Sequence, residues 1–403
     1  MLNKTIVIKF FTALMIVFCF LPTPSFAAVS AKNPLRTVAV PVAQSDTSTD
    51  TIAPMSSGKN DSYYIAKVLK ILDQGVDNSG DTPQPWQTLK IQITGGDKKG
   101  QQITLDNGKD FVGGTFHKYA VGDKVIVDNP PNEPGAKQNF YYIIDWYRIP
   151  NLIIATLFFF ALAIYFGRKR GLTSIIGMVF SVLVIFYYIM PTILKGGDPF
   201  LTAITGAVII IILSLYLSHG FNRRTTIALI STLLTLGLAV VLDLIFVHFT
   251  KLVGDGTEDA IYLQLYNAKI NLQGVLLGGI IIGVLGVLDD VTTGQSAAIE
   301  EIHTANNDLG FKELFKKGLS VGQEHIASLI NTLVLAYVGA SFPLFLLYSV
   351  QQQFPNWVTL NYSFGEEIIR TLVGSSVLVI AVPLTTTLAA LYYSRRKIRG
   401  GKL

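Results

Sequence analysis

The sequence predicts an all-α membrane bundle of about seven transmembrane helices following a signal sequence, with a small β-barrel-like domain ahead of the bundle on the extracytoplasmic side. Three observations carry this. Half of the 403 residues are hydrophobic and only 15% are charged, against about 25% charged residues in soluble domains. After Pro150 apolar runs of about bilayer-crossing length follow one another. Between Tyr63 and Ile149 the pattern changes to short runs of β-forming residues separated by turn signals.

Residues Met1 to Ala27 have the layout of a secretory signal: Lys4 and Lys9, an apolar stretch to Leu21, then Pro22, Pro24 and small residues before Ala27. The alternative is an uncleaved anchor helix, which leaves the downstream topology unchanged. The one cysteine, Cys19, lies inside this segment, and a mature chain without it excludes disulfides, thiolate metal sites and cysteine nucleophiles. Residues 28–62 are rich in Ala, Ser, Thr, Asp and Pro, too polar to offset their ordering entropy, and read as a flexible linker.

Residues 63–149 hold five β-like runs, Tyr63 to Leu72, Leu89 to Thr94, Gln101 to Leu105, Lys124 to Val127 and Phe140 to Ile144. Gly95-Gly96-Asp97-Lys98-Lys99-Gly100 and Asp106-Asn107-Gly108 suit hairpin turns. Five short strands suggest a closed barrel of the oligonucleotide/oligosaccharide-binding or SH3-like kind. Such a domain would serve protein contacts or rigidity outside the membrane, with an envelope protein as the partner, and ligand binding is the alternative.

The transmembrane domain, 150–394, divides into runs near Leu152 to Phe166, Ser174 to Ile193, Phe200 to Leu217, Ile227 to Phe249, Leu272 to Leu288, Ile326 to Tyr348 and Ile368 to Tyr393. Arg168-Lys169-Arg170, Arg223-Arg224, Lys312 with Lys316-Lys317, and the basic tail 395–403 follow the first, third, fifth and seventh runs. Positive residues mark cytoplasmic loops, so the C-terminus is expected in the cytoplasm and the β-rich domain outside the plasma membrane. The net charge of +5 is thereby used as a topology signal and calls for no nucleic acid. The lipid bilayer is the expected partner, and a homo-oligomer is open. Phe311 to Leu319 has apolar residues at helical spacing with lysines opposite and is expected along the membrane surface.

Ionisable groups in or beside membrane helices are functional candidates by default. If the run from Leu272 continues as one helix, Asp290 and Glu301 share a face, roughly 16 Å apart by helical rise, with Gly294 and Ala297 between them. Asp243, inside the fourth run with His248 beyond it, and Asn331 in the sixth complete the candidate path for a cation or proton. Gly274, Gly278, Gly279, Gly283 and Gly286 are read as helix-packing positions that let backbones approach. Gly318-Leu-Ser320-Val-Gly322 spells a nucleophile elbow without its strand, acid and histidine context. Glu300-Glu301-Ile-His303 holds one copy of a di-metal motif that needs two. No enzyme, cofactor or metal is expected.

Several motifs occur in order: Gly220-Phe-Asn222-Arg223-Arg224-Thr225; Asn271-Leu272-Gln273-Gly274 leading to Gly283-Val-Leu-Gly286; Asp290-Val291 with Glu301-Ile302; Phe311-Lys-Glu-Leu-Phe315; Asn331-Thr332 through Gly339; and Val382-Pro383-Leu384-Thr385. In these the chain resembles the YibE/F-like family of bacterial multi-pass membrane proteins. The resemblance implies an integral membrane protein with an N-terminal extracytoplasmic domain and points to no particular chemistry. Against the family pattern Asp289 stands at a usually apolar position, whereas Asp290 and Glu301 match. Two functions are therefore weighed: a transporter or permease component using Asp290, Glu301, Asp243 and Asn331, and a scaffold or sensor whose outer domain captures an envelope partner.

Overall fold

The computed structural model describes residues 63–77, 83–108, 117–129, 141–350, 357–358, 361 and 364–395. The expected signal segment and linker, and all but Arg395 of the basic tail, lie outside the described residues.

The N-terminal part is a five-stranded sheet of β1 (Tyr63–Asp77), β2 (Gln84–Ile93), β3 (Gln102–Asn107), β4 (Lys124–Asp128) and β5 (Tyr142–Trp146), in the order β3-β2-β1-β4-β5. Alternation sets its core: Tyr64, Ala66 and Val68 of β1, Leu89, Ile91 and Ile93 of β2, and Val125 and Val127 of β4 are all buried, as period-two patterning requires. β1 and β2 run antiparallel with two register shifts, between Val68 and Lys70 and between Ile71 and Asp73. Such bulges bend and twist a long strand. The Gly95–Gly100 segment makes the expected turn into β3, with Gly96 and Gly100 at φ 80° and 90°, a region that favours glycine. Each expected β-run coincides with an observed strand to within a few residues. The barrel reading reaches further than the described pairing, in which β3 and β5 are the two ends of the order.

The helical part comprises α1 (Ile149–Leu194), α2 (Pro199–His219), α3 (Arg223–Thr250), α4 (Glu258–Tyr266), α5 (Leu272–Ala305), α6 (Phe311–Ala340), α7 (Phe342–Val350) and α8 (Gly365–Ser394). Side chains cap four of the starts: Asp198, Asn222, Thr257 and Asn271 accept from Leu201, Thr225, Ala260 and Gly274 N–H at 2.8, 2.9, 3.2 and 3.2 Å. Each such cap stabilises its helix by about 1 kcal/mol.

Among the described residues five helical stretches are long and apolar enough to cross a membrane: α1, α2, α3, α5 and α8. Seven were expected, and the difference has two causes. The first two expected runs both lie in α1, whose regular dihedrals break only at Arg168, φ 51° and ψ −131°. A methyl group placed on Gly171 would collide with the Ala163 carbonyl. Those residues would be about 12 Å apart in a straight helix, so the chain turns sharply inside the Arg-Lys-Arg cluster. The expected sixth run is divided between α6 and α7, and α6 begins within the lysine-bearing segment. α1 also contains a π-helical turn, Ile185–Ile189, just before Pro191. Proline supplies no N–H and crowds the carbonyl four residues earlier, which is that of Tyr187.

Phe311 to Leu319 is helical as expected, but its apolar side is covered by protein. Leu314 is fully buried with Ile299, Ala389, Ala390 and Tyr393, while Lys312, Lys316 and Lys317 point outward. The amphipathic pattern was correctly periodic; what it cannot specify is whether lipid or protein meets the apolar face.

α8 is the hub, packing on α5, α6 and α3; α5 also packs on α3 and α2, and α1 on α2. Small residues set the separations. Gly278 of α5 lies against Ala203 of α2, where an added methyl would stand 2.9 Å from its Cβ. Gly318 and Gly322 of α6 lie against Ile299, Gln295, Thr386 and Val382. Gln295 joins three helices, its Nε2 donating to the Gly318 carbonyl at 2.8 Å and to Thr386 Oγ1 at 2.7 Å.

These contacts set opposite expectations for two glycines. A methyl group at Gly322 runs into Val382, whereas one at Gly286 meets nothing within 4 Å. Gly322→Ala should therefore cost about 1–3 kcal/mol by overpacking, and Gly286→Ala should be neutral or stabilise by up to about 1 kcal/mol through helix propensity. Thermal unfolding of the two variants in one detergent gives the comparison.

Candidate functional site: a buried carboxylate and its neighbours

α3 presents a column of small and hydroxyl residues to its neighbours: Thr225, Ala228, Ser231, Thr232, Thr235, Ala239, Asp243 and Val247, all buried. Positions three and four apart share a helix face, so the column is one stripe. Its hydroxyls are satisfied locally, Ser231 donating to Ile227 O, Thr232 to Ala228 O and Thr235 to Ser231 O, each at 2.8 Å. Thr232 also meets Thr292 of α5 at 2.7 Å. Asp243 differs from the rest of the stripe. It is 0% exposed, and among the described residues neither carboxylate oxygen has a hydrogen-bond partner.

The charge acting on Asp243 is that of Arg370 on α8. Arg370 Nε lies 3.6 Å from Glu367 Oε1, one turn earlier on the same helix, and that nitrogen is buried without a hydrogen bond. Tyr337 of α6 is within the electrostatic reach of both Arg370 and Glu367. Glycines leave room for these head groups. A methyl group at Gly279 would be 3.9 Å from an Arg370 terminal nitrogen, and one at Gly283 would be 3.2 Å from the Tyr337 hydroxyl. Asp243 is seven residues from the end of α3, Arg370 five from the start of α8, and Gly279 seven from the start of α5. The cluster thus lies roughly 7–10 Å inside one end of the bundle by helical rise. Among the described residues Arg370 is paired with Glu367 and makes no ion pair with Asp243, so the buried carboxylate, which costs several kcal/mol unless it is paired or neutralised, is left with the more distant guanidinium charge.

The other candidates occupy different places. α5 is one unbroken helix, so Asp290 and Glu301 do share a face, as their spacing requires. Both are exposed there, and methyl groups added at Gly286 or Gly294 on that face meet nothing within 4 Å. Asn331 is exposed on α6. The structure does not bring these three to Asp243. Of the packing glycines, Gly274 and Gly278 lie against Pro199 and Ala203, Gly279 and Gly283 lie under Arg370 and Tyr337, and Gly286 is open. Ser320 sits in mid-helix on α6, with no strand ahead of it.

Towards the opposite end, Asp289 Oδ2 accepts from Ser214 of α2 at 3.2 Å, Ser296 donates to the Arg224 carbonyl at 3.2 Å, and Arg224 pairs with Glu300 at 3.6 Å. Arg370, Glu367 and Tyr337 were missed from the sequence. The available signal was Arg370, the only basic residue between Ile368 and Tyr393, preceded at three and four residues by glutamates.

Two family descriptions match the chain: YibE/F-like protein over residues 155–395, and the YibE/F family N-terminal domain over residues 61–145. No curated protein and no solved structure matches it. The helical match takes in every helix from α2 to α8 and the second match takes in the sheet up to the last strand, so the chain belongs to the YibE/F-like family.

Proposed function

We propose that this protein is a transporter or permease component of the bacterial plasma membrane, moving a cation or solute along a path on which Asp243 carries a proton. The observation that carries the reading is the fully buried Asp243 carboxylate, without hydrogen-bond partners, facing a single arginine that also has Glu367 to bind. The two carboxylates compete for one guanidinium. When Asp243 is ionised, Arg370 is drawn towards it; when Asp243 holds a proton, Arg370 relaxes to Glu367. One proton is thereby converted into a swing of the Arg370 side chain between α3 and its own helix, a two-state element of the kind that coupled transport needs. The hydroxyl stripe of Thr235, Thr232 and Thr292 begins eight residues from Asp243, about 12 Å along α3, and continues towards the other end of the bundle. In this reading Asp290 and Glu301 form an acidic approach rather than the central site.

The proposed topology has seven crossings, counting α1 as two and α6 with α7 as one. The 46 residues of α1 would extend about 69 Å, more than twice the hydrocarbon thickness, which favours a hairpin turned at Arg168. Arg168 to Arg170, Arg223, Arg224, Lys312, Lys316, Lys317 and Arg395 then share the cytoplasmic side, with the sheet domain outside.

In proteoliposomes loaded with a pH-sensitive dye, an imposed potential should drive proton movement through the wild-type protein. Asp243→Asn should reduce it to the level of empty liposomes, and Asp290→Asn or Glu301→Gln should leave a measurable rate. Equal rates for wild type and Asp243→Asn would rule the reading out.

A second prediction concerns stability. Arg370→Leu removes the positive charge acting on Asp243 and the partner of Glu367 and should destabilise the bundle by about 1–3 kcal/mol. Adding Asp243→Leu to that variant should restore much of the loss. A double-mutant cycle by thermal unfolding measures the coupling; additive effects would show that the two residues do not interact.

A further inference from the structure

We infer that the loop joining α3 to α4, residues 251–257, is a strap that closes the end of the bundle nearest Asp243, with Glu366 as its latch. The inference rests on reading the Asp243 and Arg370 cluster as the functional site. The strap itself is built from separate contacts.

Lys251 ends α3 in the left-handed conformation at φ 56°. The Leu252 N–H returns to the Val247 carbonyl at 3.2 Å, so the chain turns back over the helix end. Leu252 is packed against the bundle core. Its carbonyl accepts from Gln273 Nε2 at 2.7 Å, which ties the loop to the first turn of α5. Gly254 is buried at φ 86°, pressed onto the Leu272 carbonyl so closely that a side chain has no place. Two residues later the Gly256 N–H donates to Glu366 Oε1 at 2.9 Å. A methyl group on Gly256 would stand 2.8 Å from the Glu366 carboxyl carbon. Glu366 is 7% exposed although it lies in the first turn of α8, where a carboxylate is favoured by the helix dipole.

The loop is therefore held at two points, on α5 by Gln273 and on α8 by Glu366. The loop adjoins the site through α8 and α3. Glu366 and Arg370 are four residues apart on one face of α8, and Arg370 acts electrostatically on Glu366. Val247, which receives the Leu252 N–H, is four residues from Asp243 on α3. Asp255, Glu367 and Arg370 are the charges acting on the latch. A single helical turn, about 5.4 Å, separates Glu366 from Arg370 and Val247 from Asp243, so displacing the loop would open the Asp243 cluster from that end.

The test uses a reporter beside the cluster. Gly279→Cys, in a full-length chain also carrying Cys19→Ser, is placed in lipid nanodiscs and treated with a charged maleimide. With the strap intact the thiol should react slowly. Glu366→Ala, which removes the acceptor, should accelerate labelling about tenfold or more, the size expected for losing a hydrogen bond to a carboxylate, and Gly256→Ala, which crowds the Glu366 carboxylate, should accelerate it in the same direction. Glu366→Gln keeps an acceptor oxygen and should keep the slow rate. One common rate in all four proteins would overturn the strap. So would equal acceleration by Gly322→Ala, because that variant loosens α6 without touching the loop. Faster labelling in the strap variants together with a wild-type protein that moves no protons would keep the strap and remove the carrier reading.

Discussion

In an apolar bundle a charge has no water to turn to, and what surrounds it must be built to tolerate it. Asp243 imposes that requirement on four helices at once. α3 must place small residues above and below it. α8 must bring Arg370, and with it Glu367, a second acceptor for the same guanidinium. α5 has glycine at 279 and 283, beside the arginine and the Tyr337 phenol. α6 must end where Tyr337 can reach.

The remainder of the bundle follows a different rule. Helices in lipid gain little from burying apolar surface against one another and associate through close packing and polar contacts instead. Gly278 on Ala203, Gly318 on Ile299 and Gly322 on Val382 give the first; Gln295 between α6 and α8, and Thr232 with Thr292, give the second. Pro383 lies inside α8 one turn from this network. Thr386 and Thr387 donate to the Val382 and Pro383 carbonyls at 2.7 Å, so the hydroxyls that follow the proline are turned inward onto its own helix.

Much of this was legible in the residues. The five β-runs, the starts of α2, α3 and α5, and the burial of Asp243 all follow from local patterns: alternation, capping residues, and an acid well inside an apolar run. Helix continuity was harder. Arg168-Lys169-Arg170 reads as a loop by charge, yet one residue with unusual dihedrals suffices for the turn, because the flanking arginine and lysine are good helix formers. The facing of α5 was harder still. The glycine and carboxylate stripe through Asp290 and Glu301 is periodic, but periodicity identifies a face without saying whether it points into the bundle. The decisive partner of Asp243 lies 127 positions later in the chain by residue number, and no single-chain pattern connects the two.

α1 makes its main contacts with α2, and only 11% of its most apolar window is buried, compared with 56% for α5. An element attached along one side exposes more of its length to lipid and forms fewer long-range constraints with the rest. Its turn at Arg168 also gives it a self-contained hairpin geometry. Separation of that hairpin from α2 would leave the contacts among α3, α5, α6 and α8 in place, and with them the surroundings of Asp243.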